Sequence, residues 1–126
     1  MDLDLVSCRV EQVDSENAIT LRLSEGSEVR IETKLKLTRP DREVAVLDAR
    51  DLDSEQGLLD VLLGRAVDQA TADEVTGSLA VIFANGVRLD VAADPDYEAW
   101  SLVGRDGSLV VSLPGGGLSR WGSTLC

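Results

Sequence analysis

The sequence contains no histidine. Histidine is the commonest general base near neutral pH and the commonest metal ligand. Its absence excludes Ser–His–Asp and Cys–His catalysis. With only two cysteines, Cys8 and Cys126, a four-ligand zinc site is not expected either. Two cysteines are also too few for a disulfide scaffold. The opening MDLDLVSCRV is acidic rather than basic, unlike a secretory signal, so a reducing cytoplasm is the expected location. Cys8 is then expected to pack as a small hydrophobe and Cys126 to be a terminal thiol, a bridge between them being the alternative. No apolar run approaches the ~20 residues of a membrane helix. Aromatics make up only 3% of the chain, so the core must rest on Val, Leu, Ile and Ala.

What is present fits a single domain over 1–126, with 44% apolar residues and a length that can hide roughly two-thirds of the unfolded surface. The net charge is −11, from 23 acidic and 12 basic residues. Such a field repels nucleic acid and anionic lipid and attracts a basic protein. It also simply keeps a protein soluble.

Period-two alternation dominates. Ile19, Leu21 and Leu23 share one face, as do Val29 and Ile31, Leu35 and Leu37, Leu79, Val81 and Phe83, and Val87, Leu89 and Val91. Turn signals separate these runs, the strongest being Asn85-Gly86, a pair suited to a type I′ hairpin. The chain also matches itself. VEQV at 10–13 resembles VDQA at 67–70, and ITLRLSEG at 19–26 resembles LAVIFANG at 79–86. Val29 then falls on Leu89 and Ile31 on Val91, after which the spacing grows from 60 to 65 and Leu35 meets Trp100 and Leu37 meets Leu102. Inward parity survives each gap. These features predict a mainly β (α+β) fold of two tandem four-stranded antiparallel meanders, 8–47 and 65–113, forming a sandwich or partly open barrel. One short helix, about 54–63, is expected between them, with Asp53 and Gln56 as a capping box, Leu58, Leu59, Leu62 and Leu63 as its apolar stripe, and Gly64 as its stop.

The richest stretch for chemistry is DPDYEAW at 94–100. Asp90, Asp94, Asp96 and Glu98 are close enough in sequence for a hard-cation site or an acid/base pair, but lack the spacing and mid-loop glycine of an EF-hand. A solvated turn is the simpler reading, followed by a strand YEAWSLV with Tyr97 and Ala99 on one face and Glu98 and Trp100 on the other. LPGGGLSRW at 113–121 is glycine-rich but follows a strand and opens into an extended piece, unlike a phosphate cradle. Trp121 is expected to lid the core; exposed tryptophans would instead mark a binding surface. The candidate binding residues are therefore Asp94, Asp96, Tyr97, Glu98, Trp100 and Trp121, with no catalytic residue, metal or cofactor assigned.

The string of Phe83, Asn85-Gly86, Leu89, Val91, Asp94 to Glu98, Trp100, Leu102, Gly104, Val110-Val111, Pro114 to Gly116, Leu118 and Trp121 resembles a family of small actinobacterial proteins of unknown function. The resemblance covers 65–122 well and the first repeat loosely. It implies a cytoplasmic bacterial protein and carries over no catalytic residue. Two readings follow. The first is a non-enzymatic protein-binding module, immunity- or inhibitor-like, with a basic partner or a second copy of itself. The second is a small-molecule-binding β domain, or a carboxylate-based enzyme, with a cavity near Glu98 and Trp100.

Overall fold

Among the residues described by the computed structural model (1–3, 5–15, 18–41, 43–50, 56–105 and 107–121), the alternating runs become short antiparallel strands. They are β1 (Val10–Asp14), β2 (Ile19–Leu23), β3 (Glu28–Ile31), β4 (Lys34–Thr38), β5 (Val44–Asp48), β6 (Val67–Ala72), β7 (Leu79–Phe83), β8 (Arg88–Val91), β9 (Trp100–Val103), β10 (Leu109–Ser112) and β11 (Leu118–Trp121). The first sheet has the order β1-β2-β3-β9-β10-β11 and the second β5-β4-β8-β7-β6. The fold is thus mainly β, in two antiparallel sheets that do not close into a barrel.

The first half contributes three strands to the first sheet and two to the second, and the second half three strands to each, rather than one four-stranded meander apiece. The chain leaves the first sheet after β3, turns through Glu32 and Thr33, and enters the second as β4. It leaves the second sheet after β8 and returns to the first as β9. Corners made by strands that switch sheets are a known way of joining two packed sheets. The inward rows correspond across the halves. Val13, Leu21, Val29, Leu102 and Val110 are successive partners across the first sheet. Ala70, Val81, Leu89, Leu37 and Ala45 are successive partners across the second. Both outer hairpins carry a bulge at the same place, between Val10 and Gln12 and between Val67 and Gln69.

The edges β1 and β6 are stitched to each other. The Val10 N–H donates to the Arg65 carbonyl at 3.0 Å and the Val67 N–H donates to the Cys8 carbonyl at 2.7 Å. Residues Met1 to Leu3 continue along β6, where the Leu3 N–H meets the Ala70 carbonyl at 3.0 Å. Cys8 is buried in the core cluster, as expected; Cys126 lies outside the described residues.

The hairpin at Asn85-Gly86 forms, but with a three-residue loop. The Phe83 N–H bonds the Val87 carbonyl at 2.9 Å, and Gly86, not Asn85, takes the positive φ of +87°. The geometry is therefore not type I′. Asn85 instead uses its side-chain oxygen to accept the Val87 N–H at 3.2 Å. The expected helix is a 3-10 helix, Gln56–Leu62, ending at Gly64 with φ +76°. Leu59 and Leu62, three apart, stack on one face in such a helix and are both buried, whereas Leu63 is exposed. Asp53 lies outside the described residues. Among the described residues no helix is long and apolar enough to cross a membrane.

Candidate functional site

The two sheet-crossing corners differ in length. Two residues, Glu32 and Thr33, link β3 to β4, whereas residues 92–99 link β8 to β9. The step in spacing from 60 to 65 falls at this corner, whose extra length is centred on DPDYE. It does not begin a strand at Tyr97 as the alternation suggests. Pro95 to Tyr97 bend, and β9 starts only at Trp100.

Asp94 shapes the bend. Its Oδ1 accepts the N–H of Asp96 at 2.8 Å and of Tyr97 at 3.1 Å, an Asx-type turn. Its carbonyl accepts the Gly115 N–H at 2.8 Å, tying the corner to the glycine-rich hairpin between β10 and β11. Ala99 is fully buried, and its carbonyl accepts the Glu32 N–H at 2.9 Å. The loop is therefore pinned at both ends while its tip, including Asp96, Tyr97 and Glu98, stands in solvent.

Tyr97 is 59% exposed, and the Arg50 guanidinium lies 5.7 Å from its ring centroid, within cation–π range. Arg50 is also held by Asp48, Nε to Oδ1 at 3.6 Å. Glu32, Arg50, Tyr97 and Glu98 line a depression of about 440 Å³ that opens to water. A neighbouring one of about 330 Å³ runs from Thr33 and Lys34 past Arg50 to Asp94. On the other flank Val75, Thr76, Ser78, Ala92, Pro95 and Gly115 border a third, of about 510 Å³.

Trp100 does not belong to this surface. It is fully buried, and its Nε1 donates to the Gly77 carbonyl at 2.9 Å. The Ser112 hydroxyl donates to the same carbonyl at 2.9 Å. Gly77 has φ +77°, and a Cβ there would sit 2.8 Å from the Gly117 carbonyl oxygen, so only glycine fits. The glycine-rich segment is thus a clamp on the turn at 73–78, and it opens into β11 rather than a helix, which removes the phosphate reading. Trp121 is not a lid on the core. It is 53% exposed, paired with Leu109 on the outer face of the first sheet. The carboxylates Asp90, Asp94, Asp96 and Glu98 do not converge. Asp90 is engaged by Arg88 at 3.0 Å, and among the described residues no group of three potential ligands is close enough to hold a metal.

Of the residues that the structure brings to this corner, Asp94, Asp96, Tyr97 and Glu98 are among those singled out from the sequence, and Glu32 and Arg50 are not. The step in repeat spacing marks the longer corner, and the first-half corner opposite it supplies Glu32. Nothing local marks Arg50, which reaches Tyr97 from the turn after β5. Fold and site together define a two-sheet β domain, alike in pairing across its halves, with an acidic-aromatic corner on one of them. The chain belongs to a family described as Family of unknown function (DUF6188), whose model matches residues 1–122. Neither the curated proteins nor the solved structures hold a match to it.

Proposed function

We propose that the protein is a non-enzymatic protein-binding module, immunity- or inhibitor-like, whose corner loop receives a basic segment of its partner. The observation that carries this reading is Tyr97, exposed on a pinned loop between Glu32 and Glu98. Arg50 already lies against the ring at 5.7 Å, and the part of the ring that stays exposed, beside Glu98, suits a further cationic side chain from the partner. The net charge of −11 adds steering toward a basic surface. The scaffold under the loop reads as a duplicated five-strand unit. Its support is the equivalence of the inward rows and of the two bulges.

The test is binding of an array of Arg- and Lys-rich peptides to the full chain at low and high salt. Three variants accompany it: Tyr97→Ala, Glu98→Gln and the remote Glu11→Gln. Tyr97→Ala should weaken the best peptides by roughly tenfold, the scale of an interface anchor. Glu98→Gln should weaken them a few-fold and flatten the salt response. Glu11→Gln should do neither. If Glu11→Gln matches Glu98→Gln and Tyr97→Ala has no effect, binding is general electrostatics and the corner is not the site.

A further inference from the structure

Among the described residues, no strand lies along one side of β5. The Arg39 N–H bonds the Glu43 carbonyl at 2.9 Å, and the Ala49 N–H bonds the Thr33 carbonyl at 3.0 Å. In an antiparallel pair these bonds alternate along the strand, so Ala45 and Leu47 turn their backbone groups toward β4. Val44 and Val46 turn theirs away. Their side chains are 54% and 61% exposed. The run Val44–Leu47 contains no charge, proline or bulge, the usual protections of an edge strand.

The same molecule shows what such an edge receives. By the repeat spacing, Val44 and Val46 correspond to Leu109 and Val111 of β10. The Gly104 N–H bond to the Ser108 carbonyl, 2.8 Å, sets the same alternation there. Beside β10, however, β11 pairs Leu109 with Trp121 and Val111 with Ser119. The place beside β5 has no strand among the described residues. The other edges are covered or guarded. β1 and β6 are stitched together, and β11 carries Arg120, which reaches Glu74 at 3.9 Å and the Met1 sulfur at 3.7 Å.

We propose that β5 pairs antiparallel with β5 of a second copy across a two-fold axis, joining their second sheets into one. A strand paired with itself in this way is self-complementary, each outward donor of one copy meeting an acceptor of the other. Val44 and Val46 from both copies form one cross-strand stripe. With a single edge among the described residues that is neither covered nor guarded by a charge, assembly closes at the dimer rather than extending as a filament. Two copies each bearing −11 repel, so this association strengthens as salt screens them. That is the opposite salt response to capture of a basic peptide, and Val46→Lys and Tyr97→Ala read the two separately, so either proposal can fail alone.

Sedimentation of the full chain over a range of concentrations should show a species of twice the chain mass. Amide exchange should slow at Val44 and Val46 in that species. Val46→Lys and Val46→Pro should each weaken the dimer by ~10-fold or more. Position 46 does not donate to β4, so the proline spends no ladder bond and tests the edge even if the lysine variant misfolds. Val103→Lys, on the outer face of the other sheet, should leave the dimer intact. A monomer at every concentration overturns the proposal. So does a dimer unchanged in both folded variants, or one whose Val44 and Val46 amides exchange as fast as in the monomer.

Discussion

The two halves of the molecule share registers and differ in three places, and all three meet. The turn between β6 and β7 is longer than its counterpart between β1 and β2: the repeat spacing grows from 57 (Val10 to Val67) to 60 (Ile19 to Leu79) across it. The corner 92–99 is longer than Glu32-Thr33, and among the described residues β11 has no counterpart strand in the first half. Gly77 from the first difference accepts the Trp100 indole that follows the second. Gly115 from the third donates to Asp94 in the second. A scaffold that keeps its inward rows alike can lengthen loops without disturbing the core, since loops lie where backbone reaches water. The three longer elements of the second half therefore contact one another.

The largest test of this asymmetry is energetic. Leu35 and Trp100 hold equivalent inward positions, and both are buried. Trp100→Ala should cost about 4 kcal/mol and Leu35→Ala about 3 kcal/mol in denaturant unfolding, the tryptophan carrying more area and a hydrogen bond. An equal or larger loss at Leu35 would mean that the tryptophan adds no anchoring of its own. Next in size is a glycine pair. Gly77 and Gly64 have nearly the same φ, +77° and +76°, but an added Cβ meets the Gly117 oxygen at 2.8 Å in the first and nothing within 4 Å in the second. Gly64→Ala should therefore cost about 1 kcal/mol, and Gly77→Ala about 3 kcal/mol. Equal costs would show that the turn at 73–78 and the glycine-rich hairpin do not clamp each other.

The sequence made the strands and their inward faces legible, because period two reports faces directly. It hid the exchange of strands between sheets for a specific reason. Ile31, Thr33 and Leu35 are all buried, so parity runs unbroken through the first corner and β3 with β4 reads as one long strand. Alternation says which way a side chain points, not which strand lies beside it. The bend at Asp94-Pro95 was readable from its residue types, since Asp caps turns and Pro resists helix. Tyr97 was misplaced onto a strand because the Asx turn, a local hydrogen-bonding choice, interrupts an otherwise regular pattern. Trp121 was misread because its parity does not distinguish an outer face from an inner one at the last strand of a sheet.

The smallest expected effect tests how the longer turn of the second half is held. Asp73 accepts the N–H of Val75 at 2.8 Å and of Thr76 at 2.9 Å through Oδ1. The Thr76 bond, and then the Val75 bond, keep its carboxyl below the usual carboxylate range. A folded-state pKa below the unfolded value means stability that is present above the unfolded pKa of about 3.9 and lost as pH falls through the folded one. Asp73→Asn keeps an acceptor oxygen but no charge. The stability difference between wild type and variant should stay constant from neutral pH down to about pH 4, then shrink below it. Urea unfolding across that range measures the difference. A difference that is flat through the acid limb would assign the turn's order to the Gly77–Gly117 contact alone, and the charge of Asp73 would have no part in what separates the two halves.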